Sequence, residues 1–373
     1  MQNKQTLHRI IVPGLILVAF ASAFYKASCF PARANFQTHA PAVAPSAPAR
    51  FETHFASSKL FAQVHAASGI ELKDGRIRAF WFSGSREGAK DVAIHSAVFD
   101  PLKAQWGNEE VVITREQTQH ALHRYVAKLG NPVVGRLPDG SLRMFYVTVS
   151  LGGWAGSSIT TLTSRDEGAS WSEARRLVTS PFINISTLVK GAPFIYSDGS
   201  MGLPVYHEFI SKFAELLRVN QDGIVLDKQR LAAGGQGTLQ PVVLIQNAQA
   251  AQVLMRYSGA AAPHRVVTVS THDAGQHWSS PTKSALRNPD AAVTGVTLPD
   301  GRMLAVLNDQ EQGRDTLSLM LSTDSGNTWR MLQQLEDQQA ASAQADEARY
   351  LGNAQTLIQQ NDAATAEHLA DYV

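Results

Sequence analysis

The sequence predicts an all-β protein whose small sheets are arranged radially, a six-bladed β-propeller. Three observations predict it. An eight-residue hairpin recurs as Ser164-Arg-Asp-Glu-Gly-Ala-Ser-Trp171, Thr271-His-Asp-Ala-Gly-Gln-His-Trp278 and Ser322-Thr-Asp-Ser-Gly-Asn-Thr-Trp329. A shorter Asp-Gly turn signal punctuates the chain between apolar, strand-like runs. Helical periodicity is nearly absent before residue 333.

The hairpin keeps a hydroxyl, an Asp, a Gly and a Trp at identical offsets: Asp166, Gly168 and Trp171; Asp273, Gly275 and Trp278; Asp324, Gly326 and Trp329. The hydroxyl and carboxylate suit hydrogen bonds to backbone N–H groups across a tight turn. Glycine supplies a positive φ, and the Trp ring is expected to fold back under the sheet. The three Asp positions are 107 and 51 residues apart, so the longer gap holds about two units. A weakened copy, Val219-Asn-Gln-Asp-Gly223, lies midway. A repeat near fifty residues is the period of four-stranded propeller blades.

The second turn signal sets the blade count. Lys73-Asp-Gly75, Pro138-Asp-Gly140, Ser197-Asp-Gly199 and Pro299-Asp-Gly301 read as hairpins. Gln246-Asn-Ala248 and Asn361-Asp-Ala363 occupy the same place without the glycine, giving six turns and hence six blades. Strands are expected at Ile77–Ser83, Leu142–Val149, Met201–His207, Val253–Tyr257 and Met303–Asn308. Residues Gln333–Arg349 read as a helix or loop between blades five and six. The last blade is expected to use Leu357–Gln360 and Glu367–Val373, with Phe51–Gln63 closing the ring.

Three segments follow from composition. In residues 1–30, Lys4, His8 and Arg9 precede the apolar run Ile10–Phe24, as in a signal peptide or short membrane anchor. Ala21-Ser-Ala23 and Ala32-Arg-Ala34 both fit cleavage patterns. Residues 31–50 read as an extended Pro/Ala-rich linker without a core, and residues 51–373 as the propeller. The protein is therefore expected to be exported, periplasmic or secreted, or anchored at a membrane. Charge is balanced, 33 basic against 32 acidic residues, which argues against nucleic acid and anionic membranes as partners. Cys29 is the single cysteine, so neither a disulfide nor a cysteine-based metal site is expected. His120 and His123 stand three apart without a third ligand; no metal or other cofactor is expected.

The recurring hairpin resembles the Asp-box, or BNR repeat, of the sialidase superfamily, across roughly residues 55 to 373. Asp-boxes are structural, so all three are expected on blade edges, with His272 and His277 as surface turn residues. The resemblance implies a site of three arginines holding a substrate carboxylate, an Asp acid/base, and a Tyr nucleophile polarised by a Glu, in place of the usual carboxylate pair.

Carried over residue by residue, Ser83-Gly-Ser-Arg-Glu-Gly-Ala-Lys-Asp91 resembles the loop in which an Arg precedes the acid/base by five positions, implying Arg86 and Asp91. His65 stands where the first arginine is expected, and lacks the permanently charged fork of arginine. Arg256 and Arg314 match the second and third. Gln240 lies near the place of the glutamate, with Glu208 as its replacement, and Tyr350 is the nucleophile candidate. Gly152-Gly153-Trp154 offers an aromatic for stacking, and Asn131 and Asn184 could bond sugar hydroxyls. These assignments imply an exo-glycosidase acting on terminal acidic sugars of glycans, sialic or uronic acids, by hydrolysis or elimination. A non-catalytic propeller binding glycan or protein is the alternative.

Overall fold

A computed structural model describes residues 12–22, 25, 34–38, 51–58, 63–180, 184–232 and 237–339. Every described sheet is an antiparallel meander of consecutive strands. Blade 1 holds β1 (Gln63–Glu71), β2 (Ile77–Gly84), β3 (Ala93–Asp100) and β4 (Gln105–Trp106), with β5 (Glu110–Ile113) also paired to β3. Blade 2 holds β6 (Lys128–Arg136), β7 (Leu142–Val149), β8 (Ser157–Ser164) and β9 (Arg175–Arg176). In blade 3 the first strand is split into β10 (Leu188–Val189) and β11 (Phe194–Ile195), followed by β12 (Met201–His207), β13 (Phe213–Val219) and β14 (Val225–Arg230). Blade 4 is β15 (Thr238–Ile245), β16 (Ala251–Tyr257), β17 (Arg265–Thr271) and β18 (Thr282–Arg287). Blade 5 is β19 (Thr294–Thr297), β20 (Met303–Leu307), β21 (Thr316–Ser322) and β22 (Arg330–Asp337).

The fold is a five-bladed β-propeller, which corrects the six-bladed expectation. Five of the six counted turns each join the first two strands of a sheet, at Lys73–Gly75, Pro138–Gly140, Ser197–Gly199, Gln246–Ala248 and Pro299–Gly301. The Asn361 turn and the segments Leu357–Gln360 and Glu367–Val373 lie outside the described residues. Gln63 opens β1 itself, and residues 51–58 form no strand. The stretch read as a helix or loop from Gln333 begins inside β22, where Gln333 faces Leu319 across the pair. Its glutamine-rich composition resembles a helix, but pairing to the outer edge of an established sheet outweighs that weak propensity.

The cores follow from alternation. Val133, Phe145, Ile159, Leu203 and Leu217 pack together between blades 2 and 3, while Leu244, Leu254, Met303 and Met320 do so between blades 4 and 5. Strand residues of one blade thus meet those of the next, and the sheets of blades 2, 3 and 4 are packed on both faces. One helix went unforeseen: Arg115–Leu122, opened by a reciprocal capping box between Thr114 and Gln117 and closed by left-handed His123. Its eight residues are too few to carry a clear period.

Topology assigns every turn to one of two faces. The β1–β2-type turns share a face with the three Asp-boxes, which join the third and fourth strands of blades 2, 4 and 5. The hydroxyl of Ser164 donates to Asp166 (2.8 Å) and accepts from the Gly168 N–H (2.8 Å), while Asp166 accepts from the Ser170 N–H (2.8 Å). Gly168 has φ 86°, unfavourable for any side chain. The boxes at Thr271 and Ser322 repeat these bonds. Trp171 and Trp329 donate to the carbonyls of Gly168 and Gly326, whereas Trp278 bonds Gln229 of the neighbouring blade. The weakened copy closes through Asn220, whose side chain accepts from the Asp222 and Ile224 N–H groups.

Residues 34–38, inside the stretch read as a linker without a core, are packed against this same face. Phe36 is 2% exposed, stacked on Tyr196 at 5.4 Å and edge-on to Phe194 at 5.6 Å. Its N–H donates to Ala248 O of blade 4, while Gln37 N–H donates to Ile195 O and Asn35 O accepts from Ser197 N–H of blade 3. The segment therefore staples two blades together. Residues 12–22 are helical, and among the described residues no helix is long and apolar enough to cross a membrane.

Candidate functional site at the propeller mouth

The opposite face is built from the loops joining second to third strands and from the starts of the innermost strands. At or just before the start of each innermost strand, one non-glycine residue has a left-handed backbone: Ala66, Asn131, Ser186, Gln240 and Asp290, with φ between 47° and 57°. Bulges accompany Ala66, Asn131 and Gln240, where the pairing register shifts. Such conformations cost energy and collect at functional sites. Here they re-aim the strand starts in all five blades.

Four of these residues enter one polar network. The Arg256 Nε donates to Asp290 Oδ1 at 2.6 Å, and its Nη1 to Gln240 Oε1 at 3.4 Å. Arg314 donates to the backbone carbonyl of Asp290. Asn131 Nδ2 donates to the Tyr206 hydroxyl at 3.2 Å, and Gln240 also bonds that hydroxyl. Ser186 Oγ accepts from the Glu208 N–H at 3.0 Å. Tyr206 is almost fully buried, which pushes its hydroxyl far above the usual phenol range. Burial also raises the Glu208 carboxyl; Lys212 and Arg256 oppose that shift, while Asp290 and Glu87 add to it.

The blade 1 loop completes the rim. Asp91 accepts from the N–H and Oγ of Ser85, both at 2.9 Å, and these bonds hold its carboxyl below the usual range; the Arg86 charge adds to this. The Glu87 N–H is held by Gln63 at 2.7 Å. His65 stacks on Phe82 at 5.4 Å. Trp154 packs beside Tyr206 and Leu188, with Lys128 Nζ 5.7 Å from its ring.

The structure thus brings Arg256, Arg314, Gln240 and Glu208 into one neighbourhood, with Asp91 and Arg86 on the adjoining loop. No described bond joins Arg86 to the other two arginines. Asn184 sits at the flank, bonded to Thr179 and Leu177 O. Tyr350 lies outside the described residues. His120 and His123 lie on and after the helix, their rings 6.2 Å apart, and no metal-binding cluster occurs among the described residues. Sequence reasoning missed Asp290 and Tyr206. Asp290 stands in Asn288-Pro-Asp290 without a distinguishing motif; the signal for Tyr206 was its place two residues before Glu208.

Two cavities lie elsewhere. One of about 800 Å³ opens on the Asp-box face beside Gln37, Pro193, Phe194 and Val296. One of about 670 Å³ lies on the outer flank between the helix and the first Asp-box.

Comparison with known proteins follows this geometry. Residues 75–362 match the family model of the BNR repeat-like domain. Among solved structures, the Hadza microbial sialidase Hz136 aligns with TM-score 0.60 at 16% identity, covering 73% of this chain and 59% of that one. The NanB sialidase of Streptococcus pneumoniae aligns with TM-score 0.59 at 9% identity, over 79% and 64%. A protein of unknown function from Dyadobacter fermentans aligns with TM-score 0.57 at 15% identity, over 72% and 83%. The chain therefore spans less than two thirds of either sialidase, and the likeness is one of fold. A search of curated protein sequences gives no significant match. On the family model and the fold together, the chain belongs to the BNR repeat-like family and is a sialidase-like propeller.

Proposed function

We propose that the protein is an exported or membrane-anchored sialidase-type exo-glycosidase acting on a terminal acidic sugar. The observation that carries this reading is the meeting of Arg256 and Arg314 on Asp290 at the propeller mouth. Asp290 accepts from Nε of Arg256 and Gln240 from Nη1, and in this reading Nη2, which takes part in neither bond, meets a substrate carboxylate. Export rests on the apolar run Ile10–Phe24 with its basic lead.

Two carboxyl groups with opposed environments supply the acid/base chemistry. Burial favours protonated Glu208, and the Ser85 hydrogen bonds favour ionised Asp91. In this reading Glu208 donates its proton to the glycosidic oxygen as the C–O bond breaks and the leaving group departs as an alcohol. Asp91 faces the anomeric carbon from the rim and receives the proton of the attacking water. Arg256 and Arg314 hold the sugar carboxylate, and Asn131 and Gln240 bond hydroxyls.

One observation favours glycan binding without turnover. The buried Tyr206 hydroxyl is hydrogen-bonded by two neutral amides, Asn131 and Gln240, and burial together with the nearby Glu208 charge pushes its pKa up, away from a nucleophilic phenolate. The test is release of sugar from sialosides and from uronic-acid oligosaccharides by the full chain and by Arg256→Ala, Glu208→Gln and Asp91→Ala. Turnover lost in all three supports the enzyme. Saturable binding without release, lost in Arg256→Ala alone, establishes the binding reading instead.

A further inference from the structure

The loops around the mouth are unequal in chemistry. Those of blades 1 and 5 are polar, Ser85–Asp91 and Asn308–Asp315, and that of blade 4 is Ser258-Gly-Ala-Ala-Ala-Pro263. Large apolar side chains stand bare on the loops of blades 2 and 3. Ile210 is 90% exposed and Leu151 77%, with Phe209, Val178 and Tyr125 more than half exposed. Isolated bare leucines are ordinary, but five on one sector of one face form a patch that asks for a partner.

The bonding shows that these loops form one surface. Ser150 Oγ donates to the carbonyl of Tyr125 at 2.6 Å, joining the segment before β6 to the β7–β8 loop. Ser157, which closes that loop, donates to the carbonyl of Thr187 at 3.3 Å. The adjacent Ser186 holds the Glu208 backbone, where the Glu208–Lys212 loop begins. Leu151 and Ile210 therefore stand at the tips of two loops tied through consecutive residues of blade 3.

Charge selects among partners. The balanced total charge argues against an anionic membrane for the surface as a whole, but Arg124, Lys128, Arg176 and Lys212 gather in these same segments. Burial and then the neighbouring Arg124 charge lower Arg176, so cations are crowded there. The one acidic residue of these two loops, Glu208, is half-buried toward the mouth. Bare aliphatic and aromatic tips ringed by Lys and Arg match the interface of an anionic bilayer, which takes apolar tips below its headgroups and cations at its surface.

We propose that the blade 2–blade 3 sector of the rim docks on an anionic lipid surface, so that the acidic sugar reaching Arg256 and Arg314 is carried on a membrane glycoconjugate. The second half of this inference rests on the glycosidase reading; the first does not. Docking would set the apolar tips in the bilayer beside the mouth, where a headgroup sugar projects from the surface.

Vesicle sedimentation tests it, using the full chain with phosphatidylcholine vesicles with and without phosphatidylglycerol. The wild type is expected to prefer the anionic vesicles. Leu151→Ser/Ile210→Ser should bind at least ten-fold more weakly, since a buried aliphatic side chain is worth about ten-fold or more in partition. Lys212→Ala should lose about five-fold on anionic vesicles alone. The N-terminal apolar run is common to all variants, so only differences between them count. A Phe209→Trp variant should show emission quenched by brominated lipid beyond that of the wild type. Unchanged binding by the double variant, or no added quenching, overturns the docking rim. So does a concentration-dependent dimer that the double variant loses, because a second copy would then cover the patch. Sugar release from a vesicle-embedded acidic glycolipid should exceed release from its free oligosaccharide, and the double variant should lose that preference. Docking without release from any substrate would keep the rim and remove the glycosidase reading.

Discussion

The two faces of the propeller solve the same problem, turning the chain between strands, with bonds of very different reach. On the Asp-box face each turn closes on itself, Ser164 reaching Asp166 and Gly168 two and four residues away, and longer bonds such as Lys73 N–H to Glu167 are added to turns already closed. At the mouth, bonds cross blades. Arg256 meets Asp290 over 34 residues, and Asn131 meets Tyr206 over 75. Local closure makes a turn stable and repeatable in any blade. Long-range closure makes each position different, because each side chain answers to another blade. The first face holds the scaffold and the second can differentiate into a site.

Electrostatics follow the same division. On the Asp-box face the Ser170 hydroxyl and N–H, with Ser164, draw Asp166 down to about 2, and Arg136 with its bidentate grip draws Glu167 down to about 2. At the mouth the two carboxyl groups part: burial pushes Glu208 up, while the Ser85 bonds hold Asp91 down.

The comparison can be broken most sharply at Phe36. Phe36→Ala should lower stability by about 3–5 kcal/mol, as for other fully buried aromatic rings, read as a shift in denaturant midpoint. Because the staple is on the scaffold face, affinity for an acidic sugar should be unchanged; a parallel loss of affinity would show the faces coupled. Arg256→Ala should do the reverse. Removing the partner of Asp290 should weaken sugar binding by about 100-fold, roughly 3 kcal/mol, with little change in melting temperature, measured by titration calorimetry.

Ser164→Ala probes one Asp-box. It leaves the Gly168 N–H and Asp166 without their shared partner, at a cost of about 1–2 kcal/mol. A pH titration separates Glu208 from the Asp-box carboxylates by sign. Asp166 and Glu167 have folded pKa values below their unfolded ones, so their contribution is present above pH about 4.5 and is lost as pH falls toward about 2. Asp166→Asn should flatten that acid limb of stability. Glu208, raised in the fold, contributes oppositely: protonated Glu208 is favoured below its unfolded value and stability falls as pH rises through its folded value. Glu208→Gln should flatten that alkaline fall of stability, while the wild-type rate should rise as Asp91 ionises and fall as Glu208 loses its proton. The smallest effect is expected at the exposed Arg76–Asp74 pair, where Arg76→Ala should leave the melting temperature unchanged.

Strand positions were legible because alternation and turn chemistry are local. Met201–His207 and Leu142–Val149 form as read, and the Asp-boxes bond as their residue types require. The blade count was not legible, because a turn composition, such as that of Asn361-Asp-Ala363, does not state which strands pair into a sheet. Phe36 was read as part of an extended tether, since its Pro/Ala-rich neighbours carry no period. Its burial depends on Phe194, which itself lies flat only because Gly202 has no side chain to strike it. At the mouth, Arg256, Arg314 and Glu208 were legible by type and place. Asp290 was not, because its role arises from a left-handed backbone bonded by Arg256 of β16 and by Arg314 of the β20–β21 loop.

By itself the sequence determined the all-β class, the strands and the closed turns of the Asp-box face, since hydrogen bonds spanning two to four residues need only neighbouring side chains. The tertiary structure decided the number of blades, the stapling of residues 34–38 and the grouping at the mouth. Those depend on which distant strands lie side by side, and packing between blades sets that where local propensity is silent.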